Sequence, residues 1–153
     1  MFIKKIKFIL VILLLYQTPL NSKSTSFNSF YFKSLSKYFS GIVASENKDN
    51  STALNFFNSS KILINKHDPY LKKYVYSLVL ENKVSQAINI ITNNKDKNNS
   101  NFFDAHLLLI LDSLKKNDYN QANVLLKKIA NKTKLDRVDL VILESLKQYI
   151  HVF

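Results

Sequence analysis

Asn117-Asp118-Tyr119-Asn120-Gln121-Ala122 is a short polar run that closes on an alanine and opens a stretch of helical period. The same event occurs twice upstream. Asn47-Lys48-Asp49-Asn50 leads to Ala53, and Glu81-Asn82-Lys83 leads to Ala87. The alanines stand 34 and 35 residues apart. Another amphipathic stretch lies ahead of each turn, so the chain reads as helix, tight turn, helix, three times over. Helices are predicted over residues 29–46, 51–65, 69–82, 85–92, 102–116, 119–131 and 134–150. Residues 93–101 hold no apolar side chain and predict a mobile surface loop. Residues 107–111 are apolar all round, the pattern of a helix covered on both sides.

Composition agrees with an all-α chain. One Gly and two Pro among 153 residues leave little turn chemistry for a sheet-rich fold. The single Gly also excludes a glycine-rich phosphate loop. The absence of Cys excludes disulfides, thiolate metal sites and lipid-modified cysteine. No cofactor is expected. The net charge of +11 invites a nucleic-acid reading, but 21 of the 22 basic residues are lysines and Arg137 is the only arginine. Base-edge and bidentate phosphate recognition favour arginine. With 18 asparagines beside those lysines, the charge reads as compositional bias on a solvated surface.

The N-terminus has the three parts of a secretory signal. Lys4, Lys5 and Lys7 precede an unbroken apolar run over residues 8–16, which Gln17, Thr18 and Pro19 then break. Nine helical residues reach only about 14 Å, roughly half of the ~30 Å hydrocarbon core. Residues 1–24 are therefore expected to be a signal peptide cut after Ser24, or else a short membrane anchor. Residues 25–153 would form the mature domain, exported to a periplasm-like compartment with a net charge of +7.

The turn at 117–122 resembles the Gly-Asp-Tyr-x-x-Ala turn of the tetratricopeptide repeat family, whose unit is about 34 residues, with Asn in place of Gly. Aligned on the alanine, the family's small first-helix position falls at Gly41, Val75 and Ile110, and its large second-helix position at Phe57, Ile91 and Leu126. A later small position falls at Ser60, Asn94 and Ile129, and Asn65 stands where a proline usually closes the unit. The resemblance implies a right-handed superhelical stack of about three antiparallel hairpins, with units near 34–67, 68–102 and 103–136 and a last helix over 134–153. Ala53, Ala87 and Ala122 would sit where paired helices cross, since small side chains let backbones approach to about 8–10 Å. It also implies a scaffold that binds a protein or peptide along its first helices. Those positions are Tyr38, Ile42, Ser45, Lys72, Tyr76, Val79, Leu107, Leu111 and Leu114, of which Leu107 and Leu111 read more readily as core. A pentatricopeptide-like RNA-binding array has a similar period, and a plain helical bundle needs none. No recurrent polar pair supports the first of these.

Catalytic groups do not converge. His67, His106 and His151 fall in different units without ligand spacing, and His67 reads as a solvated turn residue. In the last helix, Leu135, Val138, Ile142 and Leu146 call for an apolar neighbour beyond the third hairpin. Self-association through that helix is expected, or else its cover by a partner or by a longer parent chain.

Overall fold

The computed structural model describes residues 26–95, 98–132 and 135–152. The signal segment expected over residues 1–24 lies outside them. Among the described residues the chain is all helical: α1 Ser26–Glu46, α2 Asn50–Asn58, α3 Asp68–Leu80, α4 Val84–Asn93, α5 Phe103–Lys115, α6 Tyr119–Lys132 and α7 Arg137–Val152. Two 3-10 turns, Lys61–Asn65 and Asn98–Ser100, lie between hairpins. Helices adjacent in the chain pack on one another, and α1 also reaches α3.

The three turns within the hairpins are built alike. Lys48, Asn82 and Asn117 take left-handed backbone conformations, with φ of 62°, 57° and 58°. In the first turn, Lys48 N–H donates to Ser45 O at 3.0 Å and Asp49 N–H to Ala44 O at 3.0 Å. Asn82 and Lys83 donate in the same way to Val79 O and Leu78 O, and Asn117 and Asp118 to Leu114 O and Ser113 O. Each pair satisfies helix-end carbonyls, with a left-handed residue where glycine is usual and asparagine next best. The following helix then starts at once. Asp49 and Asp118 cap it by accepting from Thr52 N–H at 3.1 Å and Gln121 N–H at 2.9 Å. Lys83 has no oxygen to offer, and α4 starts without a side-chain cap.

These turns fold the hairpins so that Ala53, Ala87 and Ala122 are each fully buried. Gly41 of α1 lies against Phe57 of α2. A Cβ on Gly41 would stand 2.8 Å from Phe57 Cε1, so only glycine admits the ring there. Phe57 is also fully buried, with Tyr38 and Tyr70 rings at centroid distances of 5.9 and 6.2 Å. Aromatic contact thus joins α1, α2 and α3 into one layer.

The helix expected over 51–65 breaks after Asn58. Ser59 and Ser60 turn their hydroxyls back onto Asn55 O and Phe56 O, both at 2.9 Å, and the chain continues as a 3-10 turn. The Phe57 carbonyl freed by the break accepts from Ser60 N–H at 3.0 Å and from the Tyr70 hydroxyl. Tyr74 Oη donates to Asn58 Oδ1 at 2.7 Å. The described parts of the segment expected to be a mobile loop are anchored instead. Asn94 and Ser100 are buried, and Asn99 Nδ2 donates to Ile64 O in the first 3-10 turn.

Two hydrophobic cores result. One spans α1 to α4 and takes in Ala105; the other joins Ile110, Ala122, Leu126, Ile129 and Leu143 of α5, α6 and α7. Among the described residues α5 is the only helix with side chains in both.

Candidate functional site

Since the hairpins share a turn geometry, residues 34 or 35 apart occupy matching places on α1, α3 and α5. One such row is Ile42, Tyr76 and Leu111; a second is Ser45, Val79 and Leu114; a third is Tyr38, Lys72 and Leu107. The first row is the most open. Tyr76 is 56% and Leu111 46% exposed, while Ile42 is half-buried. Ser45, Val79 and Leu114 are half-buried and form the wall beside it. An exposed aromatic ring flanked by partly covered aliphatics is a suitable anchor surface for a partner segment.

Lys72 crosses from α3 to α5, with Nζ 3.1 Å from Asp104 Oδ2 and 5.8 Å from the centroid of the Phe102 ring. Both members of the pair are well exposed, so the pair steers geometry more than it stabilises. It ties the second hairpin to the third at the edge of the row.

Three sequence expectations are corrected by the structure. Tyr38 does not line this surface. It is 4% exposed, packed on Phe57, Tyr70 and the edge of His67, and burial raises its phenol above the usual value. His67 is accordingly a half-buried packing partner and not a solvated turn residue. Leu111 is exposed where the all-apolar run suggested a helix covered on both sides, because only Ile110 of residues 107–111 is fully buried. Leu107 is half-buried against the second core. Tyr70 and Tyr74 went unsingled in the sequence. Their spacing of four on an apolar helix was the available sign that two hydroxyls would need buried partners.

The described residues hold no group of three or more His, Asp or Glu placed to bind a metal. His106, 6% exposed on α5, has Nε2 2.8 Å from Asn101 Oδ1. Behind α5, a cleft of about 910 Å³ separates α4 from α6, with Ile88, Leu109 and Leu125 among its apolar lining and Lys95 and Lys128 among its polar lining.

The last helix buries a different side from the one expected. Leu143 is buried, and Leu135, Ile142, Leu146 and Ile150 pack with it on the third hairpin. The outward stripe is Val138 (65% exposed), Val141 (66%), Tyr149 (50%) and Val152 (80%), with Ser145 at its middle. Of the four residues expected to want a neighbour, only Val138 remains open.

Comparison with protein-family models, with curated proteins and with solved structures finds no match to this chain.

Proposed function

We propose that this chain is a non-enzymatic adaptor of the tetratricopeptide type. In this reading it is an exported, right-handed superhelical stack of about three hairpins and a last helix, which holds a peptide or helix of a protein partner across α1, α3 and α5. The observation that carries the reading is the matching turn geometry at Lys48, Asn82 and Asn117, which sets Ile42, Tyr76 and Leu111 in register on successive first helices. Repeated units that each contact only their neighbours generate extended surfaces of this kind. Tyr76 is the anchor and Lys72 with Asp104 forms a polar rim.

Site-specific photocrosslinking in the native cell tests this surface. A benzophenone side chain in place of Tyr76 should give a defined protein adduct, and the same group in place of Leu111 should give the same adduct. A Leu111→Glu change should abolish the adduct formed from position 76. Adducts no stronger than those from Lys127, an exposed residue on α6, would refute the surface. Export is tested separately by mass spectrometry of the native protein, which should show a chain beginning near Thr25.

The same reading includes self-association through the open stripe of α7, in which a second copy covers Val138, Val141, Tyr149 and Val152.

A further inference from the structure

Among the described residues, one face of α1 is left largely open. Phe32, Phe39 and Val43 line it at spacings of seven and four, and they are 63%, 54% and 61% exposed. With half-buried Phe56 of α2, Phe39 and Val43 border a shallow hollow of about 780 Å³. Soluble surfaces carry single exposed apolar residues routinely, but two phenylalanines and a valine on one helical stripe are a patch. Around the helix the stripe grades through Ser29, Ser36 and Ser40 to Lys33 and Lys37. The order is apolar, hydroxyl, cation.

Charge identifies what can cover this face. Residues 25–45 contain two lysines, Lys33 and Lys37, and no acidic residue, while residues 46–153 hold 16 basic and 11 acidic residues. The first acids, Glu46 and Asp49, stand past Val43 at the far end of the stripe, and Asp49 is engaged as a helix cap. A protein partner would need matching carboxylates and an apolar ridge together. An anionic bilayer offers both everywhere, and a helix with phenylalanine on one side and lysine on the next is the form that lies in its interface. No described helix is long and apolar enough to cross a membrane, so the contact is one of surface.

We infer that α1 rests on an anionic lipid surface through Phe32, Phe39 and Val43, with Lys33 and Lys37 over the headgroups. Tyr76 and Leu111 belong to α3 and α5 and not to α1, so this inference stands or falls apart from the adaptor reading.

The chain has no tryptophan, which makes a single introduced indole a clean reporter. The full chain is made as Phe39→Trp and, at the far end of the stack, as Tyr149→Trp. Each is mixed with vesicles of equal parts phosphatidylcholine and phosphatidylglycerol, part of the lipid brominated in its acyl chains. The indole at position 39 should shift to the blue and be quenched by the brominated lipid, and the one at 149 should not. Adding Lys33→Gln with Lys37→Gln should reduce the quenching at 39 several-fold, as should high salt or pure phosphatidylcholine. An indole at 39 that stays open to aqueous iodide while the chain sediments with vesicles would overturn the inference. So would shielding at 39 that grows with protein concentration when no vesicles are present, which would mark a second copy. If circular dichroism shows Phe39→Trp misfolded, Val43→Trp reads the same face.

Discussion

Gly41 offers the sharpest test of the packing because two opposing effects act at one atom. It lies inside α1, where replacing glycine by alanine ordinarily adds about 0.5–1 kcal/mol of stability through backbone entropy. Its φ is not in the left-handed region, so nothing in its conformation forbids a side chain. Against that gain, the new methyl would meet Phe57 at 2.8 Å from Cε1, 3.0 Å from Cδ1 and 3.1 Å from Cζ. The ring cannot swing aside, since Phe57 is fully buried with Tyr38 and Tyr70 against it. Overpacking of this kind costs about 1–3 kcal/mol. The clash wins, and Gly41→Ala should destabilise by about 1–2 kcal/mol. With a denaturant slope of about 2 kcal/mol per molar, the urea midpoint falls by about 0.5–1 M. Far-UV circular dichroism reads it. Phe57→Leu removes the ring atoms that the methyl would touch. In that background the sign should reverse, and Gly41→Ala should become neutral or stabilising by up to about 1 kcal/mol. A Gly41→Ala midpoint at or above wild type, or the same loss in both backgrounds, would refute the close approach of α1 and α2.

Other outcomes follow from the same contacts. Ala87→Leu, at a fully buried helix crossing, should cost about 1–3 kcal/mol, and an unchanged urea midpoint would mean that the two helices do not meet there. Tyr38 and Tyr70 are both held above the ordinary phenol range by burial. In the unfolded chain they ionise near about pH 10, where the unfolded state binds fewer protons. The stability they carry is therefore whole below that pH and drains as pH rises toward their folded values. Tyrosinate absorbance should show the Tyr38 and Tyr70 phenols appearing only with loss of helix, and Tyr70→Phe should remove one phenol from that late fraction. At neutral pH that variant should lose only about 0.5–1.5 kcal/mol, because the Phe57 carbonyl keeps its bond from Ser60 N–H. Sedimentation should show wild-type self-association at high micromolar concentration. Val138→Lys with Val141→Lys should abolish it without loss of helix; a wild type that stays monomeric there would show that α7 needs no second copy.

Much of the fold is legible in the sequence because its signals are local. A polar turn containing Asn or Lys, a residue of helical period and an alanine recur with the chain's own spacing, and turn chemistry acts within six residues. What escapes is set by residues far apart. The break after Asn58 rests on Ser59 and Ser60, whose hydroxyls are visible, but also on Tyr70, thirteen residues after the carbonyl it caps. Tyr38 occupies the place that Lys72 and Leu107 take in later hairpins, yet it turns inward because Phe57, His67 and Tyr70 surround it with rings. The buried side of α7 was equally hidden. Apolar residues cover most of its circumference, so periodicity could not choose between Val138 and Leu143 as the inward side.

As a mechanical object the stack is not uniform along its length. Among the described residues its two cores meet through α5, and the cleft of about 910 Å³ lies between α4 and α6 at the same junction. Bending is easiest where the fewest packed side chains must slide, so this junction is where the chain should flex. Tyr76 stands on α3 and Leu111 on α5 itself, and Lys72 and Asp104 link the same two helices with an exposed, loosely held pair. On the proposed adaptor reading, the span between Tyr76 and Leu111 is set by an elastic element rather than by a rigid frame. A segment gripped at both ends would load that spring, and its girth would be measured as strain in α5.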